Sequence, residues 1–226
     1  MTVQVRRDKE IYAADGGWFQ ARWHFTFDQY YDPQQMGVGA LRVFNDDRLQ
    51  PGAVWPMHPH QDIESCTYVA EGLFAHEDSL GNDGLLEAGA AQVMRFSSSG
   101  ALHSERNGSP AEPMRFIQFW ILPSDPELES SVQQRQYTME DRMGRLLQIM
   151  GPPGEDGLDL AQDARVWVAR LPQGSWLVTI SMPAGAATST FLTGSSRSPA
   201  ASWPLAMRSS SPAPRWSSSP ASSTPS

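Results

Sequence analysis

The stretch VWPMHPHQDIE, residues 54–64, places two of the chain's five histidines two positions apart, with a carboxylate four residues further on. Successive residues of a β-strand point to opposite faces of the sheet, so His58 and His60 share a face if this stretch is a strand. A second pair with the same spacing, His103 and Glu105, occurs in GALHSERN at 100–107. Two such strands, each offering two ligands on one face, predict a single metal ion enclosed inside a β-barrel.

The type of donor narrows the choice of metal. Three imidazole nitrogens and one carboxylate oxygen suit Fe(II), Mn, Ni, Cu or Zn, and they are too rich in nitrogen for Mg or Ca. In isolation each pair has an ordinary interpretation, since a His-x-His pair in a β protein is more often a surface or core pair than a metal site. Glu105 alone would be a solvated turn residue. The two pairs together favour a metal site.

The residues around the two pairs match the two cupin signatures in outline. The first is Gly52-x5-His58-x-His60-x3-Glu64, and the second is Gly100-x2-His103-x3-Asn107. Glu64 occupies the position of the fourth ligand in many cupins. At this point Glu64 and Glu105 therefore compete as the carboxylate ligand.

The composition excludes several classes of protein. The single cysteine, Cys66, leaves no internal disulfide and no cysteine-based zinc cluster, and it reads as a small buried side chain rather than a nucleophile. The net charge of −8 argues against a nucleic-acid-binding surface. No apolar run approaches the ~20 residues of a membrane helix, and the N-terminus lacks the apolar stretch of a signal peptide. We therefore expect a cytoplasmic protein without direct contacts to nucleic acid or membrane.

Short strand-like segments separated by turn signals fill the chain up to about residue 125 and predict an all-β fold. They are rich in β-branched and aromatic residues, and Gly-Asn-Asp-Gly at 81–84 is a hairpin signal. We assign 1–123 to an N-terminal metal-binding barrel, 124–145 to a polar connector and 146–174 to the start of a second β unit. The strand-like segments of the N-terminal barrel are GALRVFN (39–45), SCTYVAEG (65–72), AAQVMRFS (90–97) and MRFIQFWIL (114–122).

The last part of the chain, residues 175–226, differs in composition from the rest. It contains sixteen Ser, seven Pro and three Arg but no Asp or Glu. Such material buries little apolar surface, so we expect an aberrant, disordered tail that does not complete the second barrel. Either this is a natural Ser/Pro-rich tail, or it reflects a reading-frame change near Gly174. We favour the frame change, because plausible codons for 187–209 read one base earlier spell alternating strands with a Gly-Asp turn.

Several longer motifs resemble the pirin family. They are GGWFQARWHFTFDQYYDPQQMGVGALRVFNDDRLQPG (16–52), HPHQDIES (58–65), HEDSLGN (76–82) and HSERN (103–107), within a resemblance that covers about 10–174. The resemblance implies a bicupin, that is, two double-stranded β-helix barrels, of which the second is here incomplete.

The resemblance also implies the ligands of the N-terminal barrel. Pirins bind iron through the equivalents of His58, His60, His103 and Glu105. Glu64 is then expected to point away from the metal, into a polar contact near the first strand. His76 is expected to be a strand residue near the site rather than a ligand.

Bacterial pirins resemble quercetin 2,3-dioxygenases, which implies a flavonol or related phenolic substrate that reacts with O2 at Fe(II). Glu105 would accept the proton of the substrate hydroxyl. Pirins are also described as redox-sensing regulators that bind other proteins. The alternative is therefore a non-enzymatic metal-binding regulator with a protein partner.

Overall fold

The computed structural model describes residues 5–125, 127–171, 175–182 and 188–193. Strands dominate these residues, and the helical structure is limited to a 3₁₀ turn (Asp8–Glu10) and one short helix, α1 (Met139–Arg142). The prediction of an all-β protein is confirmed. Among the described residues, no helix is long and apolar enough to cross a membrane. The strands are β1 (Tyr12–Asp15), β2 (Phe19–Trp23), β3 (Leu41–Leu49), β4 (Val54–His60), β5 (Ile63–Glu71), β6 (Leu73–Asp78), β7 (Asp83–Glu87), β8 (Ala90–Phe96), β9 (Ala101–Asn107), β10 (Met114–Ile121), β11 (Ser131–Gln136), β12 (Leu147–Gly151), β13 (Leu158–Asp159), β14 (Arg165–Arg170), β15 (Trp176–Ser181) and β16 (Thr188–Thr193).

Two antiparallel sheets build the N-terminal barrel. One has seven strands in the order β1-β2-β3-β10-β5-β8-β11, and the other has four in the order β4-β9-β6-β7. Two side-chain hydrogen bonds connect the inner faces of the two sheets. They join Gln118 to Glu105 and Gln134 to His76. This double sheet is the cupin barrel that the sequence predicts. Its larger sheet includes β11, so the barrel extends beyond the boundary expected at residue 123.

The seven-stranded sheet is covered on both faces, which explains why the segment 114–122 is almost entirely apolar. On β5, Ser65 and Thr67 face the barrel interior, whereas the alternate residues Cys66 and Tyr68 face outward. Cys66 and Tyr68 share a single hydrophobic core with Val166 and Val168 of β14, together with residues of β10, β12 and β15. The N-terminal barrel therefore packs directly on the C-terminal sheet.

The second β unit is a sheet of five strands in the order β13-β12-β14-β15-β16. Among the described residues this is one open sheet rather than a closed barrel, so the second barrel is incomplete. The tail does not begin at Ser175, however, because residues Trp176–Ser181 form β15 and pair with β14, with Val178 opposite Val168. The placement of Trp176–Ser181 in the aberrant tail is thus wrong.

Strand β15 forms because of the local pattern of its sequence, WLVTIS. Its residues Trp176, Val178 and Ile180 alternate with more polar or partly exposed ones, and all three are buried in the shared core. This period of two is enough to extend the sheet even in Ser-rich surroundings. Strand β16 then pairs antiparallel with β15. The expected disorder of 194–226 concerns residues outside the described part of the chain.

Candidate metal centre

Strand pairing brings the two predicted ligand pairs together. Strand β4 runs antiparallel to β9, with His58 directly opposite His103 and His60 opposite Ala101. Directly opposed residues lie on the same face of a sheet, so the three histidines meet on one side. A register shift between Trp55 and His58 interrupts the ladder just before the first histidine. The barrel thus assembles the cluster from residues 45 positions apart in sequence.

The three imidazoles form a compact group. The Nε2 atoms of His58 and His103 are 3.0 Å apart. The ring centroids of His60 lie 4.8 Å from those of His58 and 4.7 Å from those of His103. One ring nitrogen of each residue falls within 4.8 Å of the others, in an arrangement that could hold a metal ion. The structure therefore brings these three predicted residues together.

The protonation of the rings suits metal binding. His58 Nδ1 lies 2.8 Å from the carbonyl oxygen of Pro56, which can only accept, so Nδ1 carries the proton and Nε2 keeps its lone pair for the cluster. The pKa of His60 is lowered to about 4 and that of His103 to about 2, mainly by burial, and the neighbouring His58 contributes to both shifts. Both rings are therefore neutral at pH 7, as ligands must be.

The spacing also fits a transition-metal ion. Bonds of ~2.0–2.1 Å from such an ion to two imidazoles at right angles would place their nitrogens ~2.8–3.0 Å apart, and the Nε2 atoms of His58 and His103 are 3.0 Å apart. His60 Nε2 is buried and has no hydrogen-bond partner within the described residues. A buried ring nitrogen without a hydrogen-bond partner, beside two converging ring nitrogens, is available as a metal ligand. The residues present fit a divalent transition metal.

Glu105 lies on the same face of β9 as His103, two residues further on, and is almost completely buried. Gln118 Nε2 on the facing sheet donates a 2.6 Å hydrogen bond to Glu105 Oε1. Burial raises the pKa of Glu105 to about 8, although the bond from Gln118 opposes the rise. Glu105 lines the same cavity as His58 and His60 but is not part of the three-histidine group. Its role as the fourth ligand stays a prediction.

Glu64, the competing carboxylate, faces away from the histidines. Its side chain is 0 % exposed and pairs at 2.9 Å with Arg95 of β8. Its carboxylate also accepts the backbone N–H of Ala161, at 2.9 and 3.0 Å, from the loop before β14. The expected polar contact exists, but its placement near the first strand is wrong. Glu64 alternates with Ser65 on β5, and only Ser65 faces the barrel interior.

His76 stands beside the site without joining it. It lies opposite Glu105 in the pairing of β6 with β9, and its Nε2 contacts Gln134 of β11. Burial lowers its pKa, so the ring is neutral. This position agrees with the expectation of a strand residue near the site.

A cavity of about 580 Å³ opens on the cluster. Its walls include His58, His60 and Glu105, and the remaining walls are largely aromatic or come from β3, β10 and the connection between β2 and β3. The motif spacing gives no indication of these walls, which include Asp47, Trp55, Phe116, Gln118 and Trp120. One signal was available, because the polar run Asn-Asp-Asp at 45–47 directly follows the apolar pair Val43 and Phe44.

A family model described as Pirin matches residues 4–121. The chain belongs to the pirin family. This pirin is 42% identical over 163 residues to a pirin-like protein of Caulobacter vibrioides, covering 71% of this chain and 69% of that protein. It is 38% identical over 167 residues to a protein of Escherichia coli K12 named quercetin 2,3-dioxygenase, covering 73% and 70% of the two chains.

Solved structures agree with this assignment. The crystal structure of the bacterial pirin YhhW from Escherichia coli in complex with nickel(II) superimposes on this pirin with a TM-score of 0.66 and 33% sequence identity. The match covers 76% of this chain and 77% of YhhW. The family and the cupin fold implied by the sequence motifs are therefore confirmed.

Proposed function

We propose that this pirin binds one transition-metal ion, with Fe(II) as the native metal, and uses dioxygen to open the central ring of a flavonol or a related phenolic compound. The ligands in this proposal are His58, His60, His103 and Glu105. The observation that carries it is the cluster of three converging imidazoles, two of which line a cavity. The relative named quercetin 2,3-dioxygenase and the nickel complex of YhhW support the chemistry and the metal site, respectively.

The cavity suits a flat phenolic molecule. Its volume of about 580 Å³ lies within the range of small-molecule sites, ~300–1,000 Å³. Trp55, Phe116 and Trp120 supply aromatic surface, against which a planar ring stacks favourably. The ring of Trp120 also lies edge-on to His60, with centroids 4.8 Å apart, so a ligand on this indole is next to the cluster.

When bound, the metal ion supplies Lewis acidity that lowers the pKa of a substrate hydroxyl, together with redox access to dioxygen. The protein supplies the proton acceptor. Gln118 holds Glu105 Oε1, so Oε2 is the oxygen left to contact the ion or to take the hydroxyl proton. With a pKa of about 8 before metal binding, the carboxyl group is suited to exchange a proton near neutral pH. Both atoms of dioxygen enter the opened product, and one ring carbon leaves as carbon monoxide.

The proposal is tested with quercetin and the full chain reconstituted with Fe(II). We expect oxygen uptake and carbon monoxide release in equal amounts, and neither with the His58→Ala, His60→Ala variant. Flavonol binding without oxygen uptake by the metal-loaded protein would refute the dioxygenase and favour a metal-dependent regulator with a protein partner. We further propose a cytoplasmic location, consistent with the single buried cysteine.

A further inference from the structure

Asp47 is a buried carboxyl group in the wall of the cavity. It is 3 % exposed, and among the described residues it forms no ion pair. Two carboxylates that do not face the barrel interior have ion-pair partners: Asp46 pairs with Arg115 at 2.5 Å, and Glu64 pairs with Arg95 at 2.9 Å. Asp47 thus differs from its own sequence neighbour.

The immediate surroundings of Asp47 do not satisfy it. Its Oδ1 has no hydrogen-bond partner of good geometry within the described residues, although the indole of Trp23 is close enough to lower its pKa slightly. Asn45, two residues earlier on the same face of β3, is 1 % exposed, and both polar atoms of its side chain also lack partners there. Buried polar groups without partners are rare in folded proteins, and each requires an explanation. Strand β3 presents two of them side by side.

Burial favours the protonated form of the Asp47 carboxyl group. Burial raises its pKa well above the usual range, and the charges of Asp46 and Glu105 raise it further. A protonated carboxyl group has one O–H donor and retains acceptor capacity, so it can both give and accept a hydrogen bond with a hydroxyl group. A buried group of this kind suits a site that selects for a hydroxyl, because an analogue without it leaves the acid unsatisfied.

The strand register places Asp47 close to Gln118, the hydrogen-bond partner of Glu105. Asp47 lies directly opposite Phe116 of β10, and Gln118, the partner of Glu105, lies two residues further along that strand. Directly opposed side chains in a sheet are in contact, and diagonal ones remain within reach of each other. A planar ring that packs on Phe116 therefore has Asp47 at its edge and Glu105 on the side of the metal cluster.

We propose that Asp47 binds a second hydroxyl group of the phenolic substrate, distinct from the hydroxyl group that reaches the metal centre. The inference rests on the proposed function and deepens it, because it makes the preferred substrate a polyhydroxylated phenolic rather than one with a single hydroxyl group. Asp47 is a specificity-determining residue in this scheme.

The test compares quercetin with 3-hydroxyflavone, which keeps the hydroxyl next to the ring carbonyl but lacks the others. Binding to the metal-loaded full chain is measured without oxygen, by quenching of tryptophan fluorescence, so that it does not depend on turnover. We expect Asp47→Leu to weaken quercetin binding at least ten-fold and to leave 3-hydroxyflavone binding within two-fold of wild type. Asp47→Asn, which still donates and accepts hydrogen bonds, should lose less, and again only with quercetin.

The control is Asp83→Asn, which removes an exposed carboxylate outside the cavity and should change neither affinity. A purely structural role of Asp47 predicts the opposite pattern: a lower melting temperature and parallel losses for both ligands. That pattern, or unchanged quercetin binding in both Asp47 variants, would overturn the inference. If Asp47→Leu does not fold, Asp47→Asn decides alone, through a loss confined to quercetin or its absence.

The same experiment separates this inference from the proposed reaction. Selective loss of quercetin binding in a protein that never consumes oxygen would support the role of Asp47 and refute the dioxygenase. Turnover of quercetin that is insensitive to Asp47 would refute only the inference. Failure of the wild-type protein to bind either flavonol would refute both.

Discussion

Gln118 Nε2 on β10 donates a 2.6 Å hydrogen bond to Glu105 Oε1 on β9, and this bond joins the two sheets of the barrel across its interior. It fixes one oxygen of the candidate base while the other side of the carboxyl group stays directed to the histidines' cavity. Glu105 therefore has a defined orientation before any substrate binds. Such preorganisation is what a proton acceptor in a metal site requires.

The first prediction concerns Glu105→Gln. We expect this variant to lose flavonol oxygenation by ~100-fold or more, which is the usual contribution of a general base, because an amide cannot take the proton. It should keep part of its metal, since three imidazoles remain. Oxygen-electrode assays and metal analysis of the same preparation test both statements. Gln118→Leu, which removes only the orienting bond, should give a smaller loss, and wild-type turnover in Glu105→Gln would exclude the base role.

The second prediction concerns metal content. The wild-type chain should carry about one transition-metal ion, and the His58→Ala, His60→Ala variant should carry none, because two of three converging nitrogens are removed. His24→Gln is the matched control, since His24 is a histidine outside the cluster. Glu64→Gln should keep its metal. Loss of metal from Glu64→Gln but not from Glu105→Gln would show that the wrong carboxylate has been chosen.

The third prediction concerns the stability contributed by Glu64. Replacing it with Gln leaves Arg95 without its charged partner, and breaking a buried ion pair in this way costs ~3–5 kcal/mol. The free energy of unfolding, measured with urea, should fall by about that amount. The double variant Glu64→Gln, Arg95→Met should recover part of the loss, because it removes the unpaired charge. A Glu64→Gln variant as stable as wild type would contradict the contact with Arg95 and Ala161.

The fourth prediction concerns strand β15. A chain ending at residue 174 lacks the buried side chains of Trp176, Val178 and Ile180. Each contributes ~1.5–3 kcal/mol by burial, and their sum is comparable with the whole stability of a typical domain, ~5–15 kcal/mol. We expect this chain to be insoluble and a chain ending at residue 196 to fold. Solubility and thermal unfolding of the two chains are the measurements, and equal melting temperatures would show that β15 adds nothing.

The group of candidate metal ligands could be predicted because it depends on a period of two within single strands. His58 with His60, and His103 with Glu105, share faces whatever the rest of the fold does. The direction of Glu64 could not be derived from spacing alone, since the chain turns between the two strands at Asp62, which has a φ of +57°. A corner of this kind resets which residues face inward. The expectation that Glu64 faces away from the histidines came from the family resemblance and not from the spacing.

Other features depend on distant parts of the chain. Strand β15 was missed because the composition of 52 residues outweighed the alternation of six, whereas folding responds to the alternation. Asp47 and Trp120 become neighbours of the histidines only when β3 and β10 pair and the two sheets face each other. No local pattern contains that information.

Alternate residues of strands β5 and β10 face opposite sides of the larger sheet, one towards the barrel interior and the other towards the C-terminal sheet. Thr67 and Gln118 face the metal-bearing interior, while Cys66 and Phe119, their immediate neighbours in sequence, belong to the core shared with the C-terminal sheet. A single layer of backbone therefore separates packing of the C-terminal half from the support of Glu105. Substitutions on the two sides of that layer are expected to co-vary during evolution, because a change of volume on one side shifts the strand that carries the other.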